Sequence, residues 1–278
     1  MINAQGVAAS LEGDLSMALE SFERALALRP SFALARCNLA TAHMGERGGV
    51  ISAEEARRQT EEALRALAEE GLSDSDLEGP YLPIAYDRFC LEISKAYIDH
   101  PSGPERRQAL TACLNYQMSK YMALLATERS DWDEVERYVL EALAIFGDDG
   151  YVLSGLANVY CARGRFGDAV GVLRRAMGLE PFHSEAQFNL ARLYRFLGNT
   201  PDAIARLVES LELNPLFGRF QVPALNELGA WLQEAGRSEE ARSCWQESLR
   251  LNSNQHQIQV LLETRSHQGR HAIGHFNE

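Results

Sequence analysis

The sequence holds few of the features that define a chemical machine. No glycine loop of the phosphate-cradling kind, no GxSxG elbow and no HExxH pair occurs in it, so the common nucleotide, nucleophile-elbow and zinc-hydrolase readings find no support. Its five cysteines (Cys37, Cys90, Cys113, Cys161, Cys244) are odd in number, widely spaced and without a CxxC pair, which excludes a disulfide framework and a cysteine zinc site as organising principles. Lysine is nearly absent, with only Lys95 and Lys120 among 27 basic residues. A net charge of −12 and a pI near 5.1 argue against a general nucleic-acid or anionic-membrane partner, because phosphate binding needs clustered cations. No apolar run is long enough to span a bilayer, and MINAQGVAASLEGDLSMALE lacks a basic n-region, so a cytoplasmic location is expected.

What is present is a repeated pattern. Residues 150–181, GYVLSGLANVYCARGRFGDAVGVLRRAMGLEP, and residues 184–215, SEAQFNLARLYRFLGNTPDAIARLVESLELNP, agree at positions spread along their whole length. Leu156 and Leu190, Ala157 and Ala191, Tyr160 and Tyr194, Gly164 and Gly198, Ala169 and Ala203, Leu179 and Leu213, and Pro181 and Pro215 each lie 34 residues apart. Apolar residues at steps of three and four, broken once by Gly and once by Pro, predict a helix-turn-helix unit that stacks on its neighbours. Small residues at Ala157, Ala191, Ala169 and Ala203 let the two helices of a unit cross closely. Gly164 and Gly198 permit the turn, and Pro181 and Pro215 end the second helix.

These positions resemble the tetratricopeptide repeat family. The resemblance implies an all-α fold, an α-solenoid of antiparallel helix pairs wound as a right-handed superhelix. The pattern extends to residues 222–253 through Leu228, Gly229, Gly236, Ala241, Trp245 and Leu251, and to residues 116–146 through Met122, Ala123, Trp132, Val135, Val139, Ala142 and Leu143. Asp131 and Glu134 form a capping pair there. Gly6, Gly13, Ala18, Phe22, Ala25, Leu28 and Pro30 mark a unit at the start; a degenerate one follows with Leu39, Ala40, Ala56 and Ala63, restarted by Ser52 and Glu55.

The expected organisation is therefore a two-unit array over 1–69, an irregular helical linker over 70–115, a four-unit array over 116–255, and a capping helix with a polar tail over 256–278. Within the linker, ERRQALTACLNYQMSKYMALLATE reads as one long helix or two short ones. Ile258, Leu261 and Leu262 form the stripe by which a cap covers the last apolar face. No such segment precedes the first helix, which is expected to fray or to dock on something.

In the family, first-helix residues of successive units line a concave groove that holds a partner's peptide or helix. By that resemblance the candidate partner-binding residues are Tyr151, Asn158, Phe188, Asn189, Arg192, Arg195 and Asn226. Asn158 and Asn189 stand at positions where family members hold a peptide main chain, which suits a side-chain amide able to donate and accept. The accompanying cations are missing, with Ser154, Pro223 and Glu227 in their places, so a clamp for a terminal carboxylate is not expected. Asn38 and Asn189 match an asparagine ladder that Tyr121 and Gly155 interrupt. Arg192 and Arg195, flanked by Phe188 and Phe196, form a cationic and aromatic strip of the composition interfaces favour.

Tyr81, Tyr86, Phe89 and Tyr97 cluster in the linker, where core packing is the expectation. His267, His271 and His275 recur at four-residue steps in a glycine-containing tail; no metal, cofactor or catalytic group is assigned. The function expected is a non-catalytic interaction scaffold, with no nucleic acid or membrane insertion. Two alternatives stay open: self-assembly into a homo-oligomer through the first repeat, and recruitment of substrate to an enzyme partner.

Overall fold

The computed structural model describes residues 2–44, 52–73, 92–93, 95–96, 99–100, 103–179, 183–213 and 220–262, and all regular structure among them is helical. The longer helices are α1 (Ile2–Leu11), α2 (Leu15–Leu28), α3 (Ala33–Met44), α4 (Ala53–Glu69), α5 (Gly103–Glu128), α6 (Trp132–Phe146) and α7 (Gly150–Ala162), followed by α8 (Phe166–Leu179), α9 (Ser184–Phe196), α10 (Thr200–Leu213), α11 (Gln221–Glu234) and α12 (Ser238–Leu251). They fall into two compact units, Met1–Arg163 and Gly164–Glu278.

In the first unit α1 pairs with α2, α3 with α4, and α5 with α6, while α2 packs on α3, α4 on α5 and α6 on α7. The second unit pairs α9 with α10 and α11 with α12, with α8 against α9 and α10 against α11. Each helix buries the stripe that its spacing defines. In α2, for example, Ala18, Phe22 and Ala25 are buried at i, i+4 and i+7, against Val7 and Ala9 of α1 and Leu39 and Ala42 of α3.

The recurring small residues sit where helices approach. Ala157 is 1% exposed, and Ala169, Ala191, Ala203 and Ala241 are fully buried, as is Leu190 at 1%. Where a glycine stands at this position, the facing helix supplies an aromatic ring instead of an aliphatic chain. A Cβ on Gly6 would lie 2.6 Å from Phe22 Cε1, and one on Gly229 would lie 2.7 Å from Trp245 Cδ1. Ala191 is matched instead by Leu207 in the same core cluster, and all three pairs are separated by 16 residues. The motif leucines at the ends of second helices behave differently: Leu28, Leu179 and Leu251 are the last residues of their helices and are exposed.

Turns within the hairpins share one geometry. Gly13, Gly164, Gly198 and Gly236 have positive φ, and Ser130 takes the equivalent place with φ 56°, the sole non-glycine residue of this kind among those described. At that turn the Ser130 N–H donates to Thr127 O and the Asp131 N–H to Ala126 O, both at 3.0 Å. Asp131 then caps α6 by accepting from the Glu134 N–H at 3.2 Å. Because a side chain in the left-handed region is strained and glycine is not, Ser130→Gly is expected to stabilise the chain by about 1 kcal/mol, read as a higher urea midpoint.

The boundary expected at 115/116 runs through the middle of α5, a single helix of 26 residues. Its buried stripe of Leu110, Cys113, Leu114, Met118, Tyr121, Met122 and Leu125 continues without a break across that point, so nothing ends the helix. The structural division instead falls at 163/164. Tyr81, Tyr86, Phe89, Tyr97, Cys90, Pro181 and Pro215 lie outside the described residues, as do His267, His271 and His275. The four described cysteines are free thiols. Burial pushes the Cys113 thiol up to about 12, with the Glu92 charge adding to the effect.

One ion cluster ties the first unit together. Glu134 accepts two hydrogen bonds from Arg57 of α4, both 2.8 Å, and also pairs with Arg129 and with Arg137, the latter at 3.4 Å. Its carboxylate is only 12% exposed, and the Arg57 hydrogen bond holds it below the usual carboxylate range despite burial. Glu55, hydrogen-bonded by Arg58 and Gln59, is held down to about 2.

A carboxyl depressed on folding stabilises above its unfolded value, near 4.5, and that contribution is lost as pH falls through the folded value. Glu134→Gln is accordingly expected to cost about 1–2 kcal/mol at pH 7. The gap from wild type should shrink in urea titrations taken progressively below about pH 4.5.

Candidate functional site

Helix α9 supplies the centre of the candidate surface. Its N-terminus is fixed by His183, whose Nδ1 accepts from the Ala186 N–H at 3.1 Å. Its inward stripe, Ala186, Leu190, Ala191 and Leu193, is buried, and the opposite stripe carries Asn189, Arg192 and Phe196 at i, i+3 and i+7. Asn189 is half-buried and makes no hydrogen bond to a described residue.

Arg192 is 57% exposed; its Nε lies 3.3 Å from Glu227 Oε1 on α11, and its guanidinium carbon lies 5.5 Å from the Phe188 ring centroid. Glu227 is partly buried, and desolvation raises its pKa against the lowering effect of Arg192. Arg195 donates to Thr200 Oγ1 at 3.2 Å and pairs with Glu234. The strip is therefore not a field of bare cations but two arginines, each anchored by a carboxylate of the next first helix.

Two of the sequence-derived residues are not available in the way expected. Phe188 is 5% exposed and belongs to the core with Ala191, Leu228, Trp231 and Trp245, its ring tilted on Phe220 at 5.7 Å. The solvent-facing aromatic of the strip is Phe196, 69% exposed and tilted against Phe166 with centroids 4.8 Å apart. Asn226 gives its amide N–H to Gln255 Oε1 at 2.6 Å, and its Oδ1 is buried without a partner among the described residues. Gln255 in turn donates to Ser248 O and Asn252 O, so Asn226 fastens the segment after α12. The cap follows directly, with Ile258, Leu261 and Leu262 packed against the terminal core.

In the first unit Tyr151 is 46% exposed, but Lys120 Nζ lies 5.2 Å from its ring and 5.1 Å from that of Tyr116. Asn158 is half-buried with no hydrogen bond to a described residue. The earlier first helices hold two buried polar contacts. Asn38 donates to Asn3 Oδ1 at 3.0 Å, and Tyr121 OH accepts from Gln117 and donates to Thr41 Oγ1 at 3.4 Å. Asn38, Thr41 and Gln117 are all at most 3% exposed. Their amides are consumed internally rather than offered to a ligand. Among the described residues no group of three or more His, Cys, Asp or Glu side chains is placed to hold a metal.

Residues 162–221 match the sequence profile of the tetratricopeptide repeat. Solved structures similar over nearly the whole chain include two with TM-scores above 0.5. PilW, a widely conserved type IV pilus biogenesis factor, shares 17% identity with a TM-score of 0.62, covering 94% of this chain and 96% of its own. PilF of Pseudomonas aeruginosa shares 16% identity with a TM-score of 0.57, covering 93% and 94%. Comparison with curated proteins gives no match.

Residues 162–221 thus carry the tetratricopeptide repeat pattern, and the structural likenesses carry the all-α hairpin fold of the chain. That fold is generally a non-catalytic module for protein–protein interaction, and no enzyme family is indicated.

Proposed function

We propose that this chain is a non-catalytic scaffold that holds a segment of a partner protein on the first-helix face of its second unit, in the cytoplasm. The observation that carries the reading is the outward row of α9, where Asn189, Arg192 and Phe196 reach solvent while Leu190, Ala191 and Leu193 between them are buried in the core. Rigid helices that fix a few polar and aromatic groups limit the entropy lost on binding. Arg and aromatic side chains are the types that dominate interface energetics. Among the described residues no helix is long and apolar enough to cross a membrane.

The test is capture from the native host, with mass spectrometry of what is retained. A variant carrying Asn189→Ala, Arg192→Glu and Arg195→Glu, shown to be folded by circular dichroism, is expected to lose partners that the wild type retains. Retention of the same partners by the variant would move the site elsewhere.

A second reading, self-association through the first hairpin, is favoured by the exposure of Leu11, Met17 and Leu28 on α1 and α2. A monomer mass at every concentration of a dilution series would remove it, and an oligomer mass, or a mass that rises with concentration, would support it.

A further inference from the structure

We propose that the α9 row selects an extended segment bearing a carboxylate side chain and, two residues along, an aromatic or large aliphatic side chain. This rests on the scaffold reading and names the chemistry of its partner.

Arg192 is held from behind rather than neutralised. Its nearest approach to Glu227 is Nε to Oε1 at 3.3 Å, longer than a strong charge-assisted hydrogen bond, and the guanidinium has no other carboxylate partner among the described residues. Of the two groups the guanidinium is the more exposed, 57% against 33% for the Glu227 side chain, so the charge turned outward is the cation. A fork with its terminal N–H pair open is matched by a carboxylate, which accepts two parallel hydrogen bonds. The adjoining Phe188 ring and the Nε contact fix the guanidinium, limiting the freedom it loses on binding.

Phe196, one turn further on, is largely exposed, and Phe166 supports its ring in a tilted contact. A supported, exposed ring favours an apolar or aromatic side chain of the partner.

The spacing selects the partner's conformation. Arg192 and Phe196 are four residues apart on a helix, a rise of about 6 Å. Alternate residues of an extended chain, which point to the same side, lie about 6.6–6.8 Å apart. A carboxylate and an apolar residue at i and i+2 therefore meet both groups at once, in either chain direction. Asn189 lies about 4.5 Å before Arg192 along the axis. Its amide, without a hydrogen bond to a described residue, faces the peptide unit next to the acidic residue, where it can both donate and accept. The central contact is thus the pairing of an acidic side chain with Arg192.

The experiment uses the full chain and fluorescein-labelled peptides with both ends blocked, so that no terminal carboxylate takes part. The parent is Ser-Gly-Glu-Ser-Phe-Gly-Ser; companions replace Glu by Lys, replace Phe by Ser, or place Glu and Phe side by side. Fluorescence anisotropy is expected to show the parent binding at least tenfold more tightly than each companion. The folded Arg192→Glu chain should lose the parent and gain the Lys peptide, a reversal that general damage to the fold cannot produce. Phe196→Ser should abolish the preference for Phe while keeping that for Glu.

Equal binding of the Glu and Lys peptides, absence of binding by all four up to about 1 mM, or no reversal in Arg192→Glu would overturn the motif. If a partner captured from the host is nonetheless lost in the triple variant, the scaffold reading stands while the motif falls. If that partner is retained, both fall.

Discussion

Ala191→Trp is expected to unfold the second unit or to lower its stability by at least about 3 kcal/mol. Ala191 is fully buried on α9 and shares its core with Ala203, Leu207, Leu228 and Trp231. Interiors are packed to crystal density, so an indole at a helix crossing must force the backbones apart or expose the core. Urea denaturation followed by circular dichroism and by tryptophan fluorescence is the measurement. An unchanged midpoint would mean that α9 is rotated from the register described.

Gly229→Ala carries the next largest effect, about 2 kcal/mol of destabilisation. The new methyl would sit 2.7 and 2.8 Å from Cδ1 and Cε2 of the Trp245 ring. That ring is 3% exposed, and its Nε1–H donates to Asn226 O at 3.3 Å, so it cannot swing away freely. The Ala191 and Leu207 pair shows the alternative solution at the same separation. Combining Gly229→Ala with Trp245→Leu is therefore expected to cost less than the two single changes added together, by about 1 kcal/mol or more. Strict additivity would show that the two side chains do not share one volume.

The hairpins were legible because their determinants are local. Leu190, Ala191, Gly198 and Ala203 repeat Leu156, Ala157, Gly164 and Ala169 at a fixed step, and each residue type answers a backbone or packing need within its own unit. The capping roles of Ser52 and Asp131 were readable for the same reason.

What the sequence concealed is non-local. Arg57 and Glu134 are 77 residues apart, and Tyr121 meets Thr41 across 80. No short-range pattern marks either pair. Phe188 was placed on the open face by its repeat position, but Phe220 and the α11 core cover it. The amide of Asn226 goes to Gln255, on the segment after the last hairpin, a contact that no repeat position marks. In α5, the absence of Gly or Pro across residues 105–128 was the available signal for one helix. Spacing alone left one long helix and two short ones both open.

The row on α9 and its separation from the core are tested most directly by alkylation of introduced thiols. Asn189→Cys and Ala203→Cys are prepared separately in the full chain, and native-state labelling rates are followed by peptide mass spectrometry so that the natural cysteines are resolved. Residue 203 is fully buried, whereas residue 189 reaches solvent. The account expects position 189 to react at least a hundredfold faster than position 203, and to slow when a captured partner is present. Comparable rates at the two positions would contradict it.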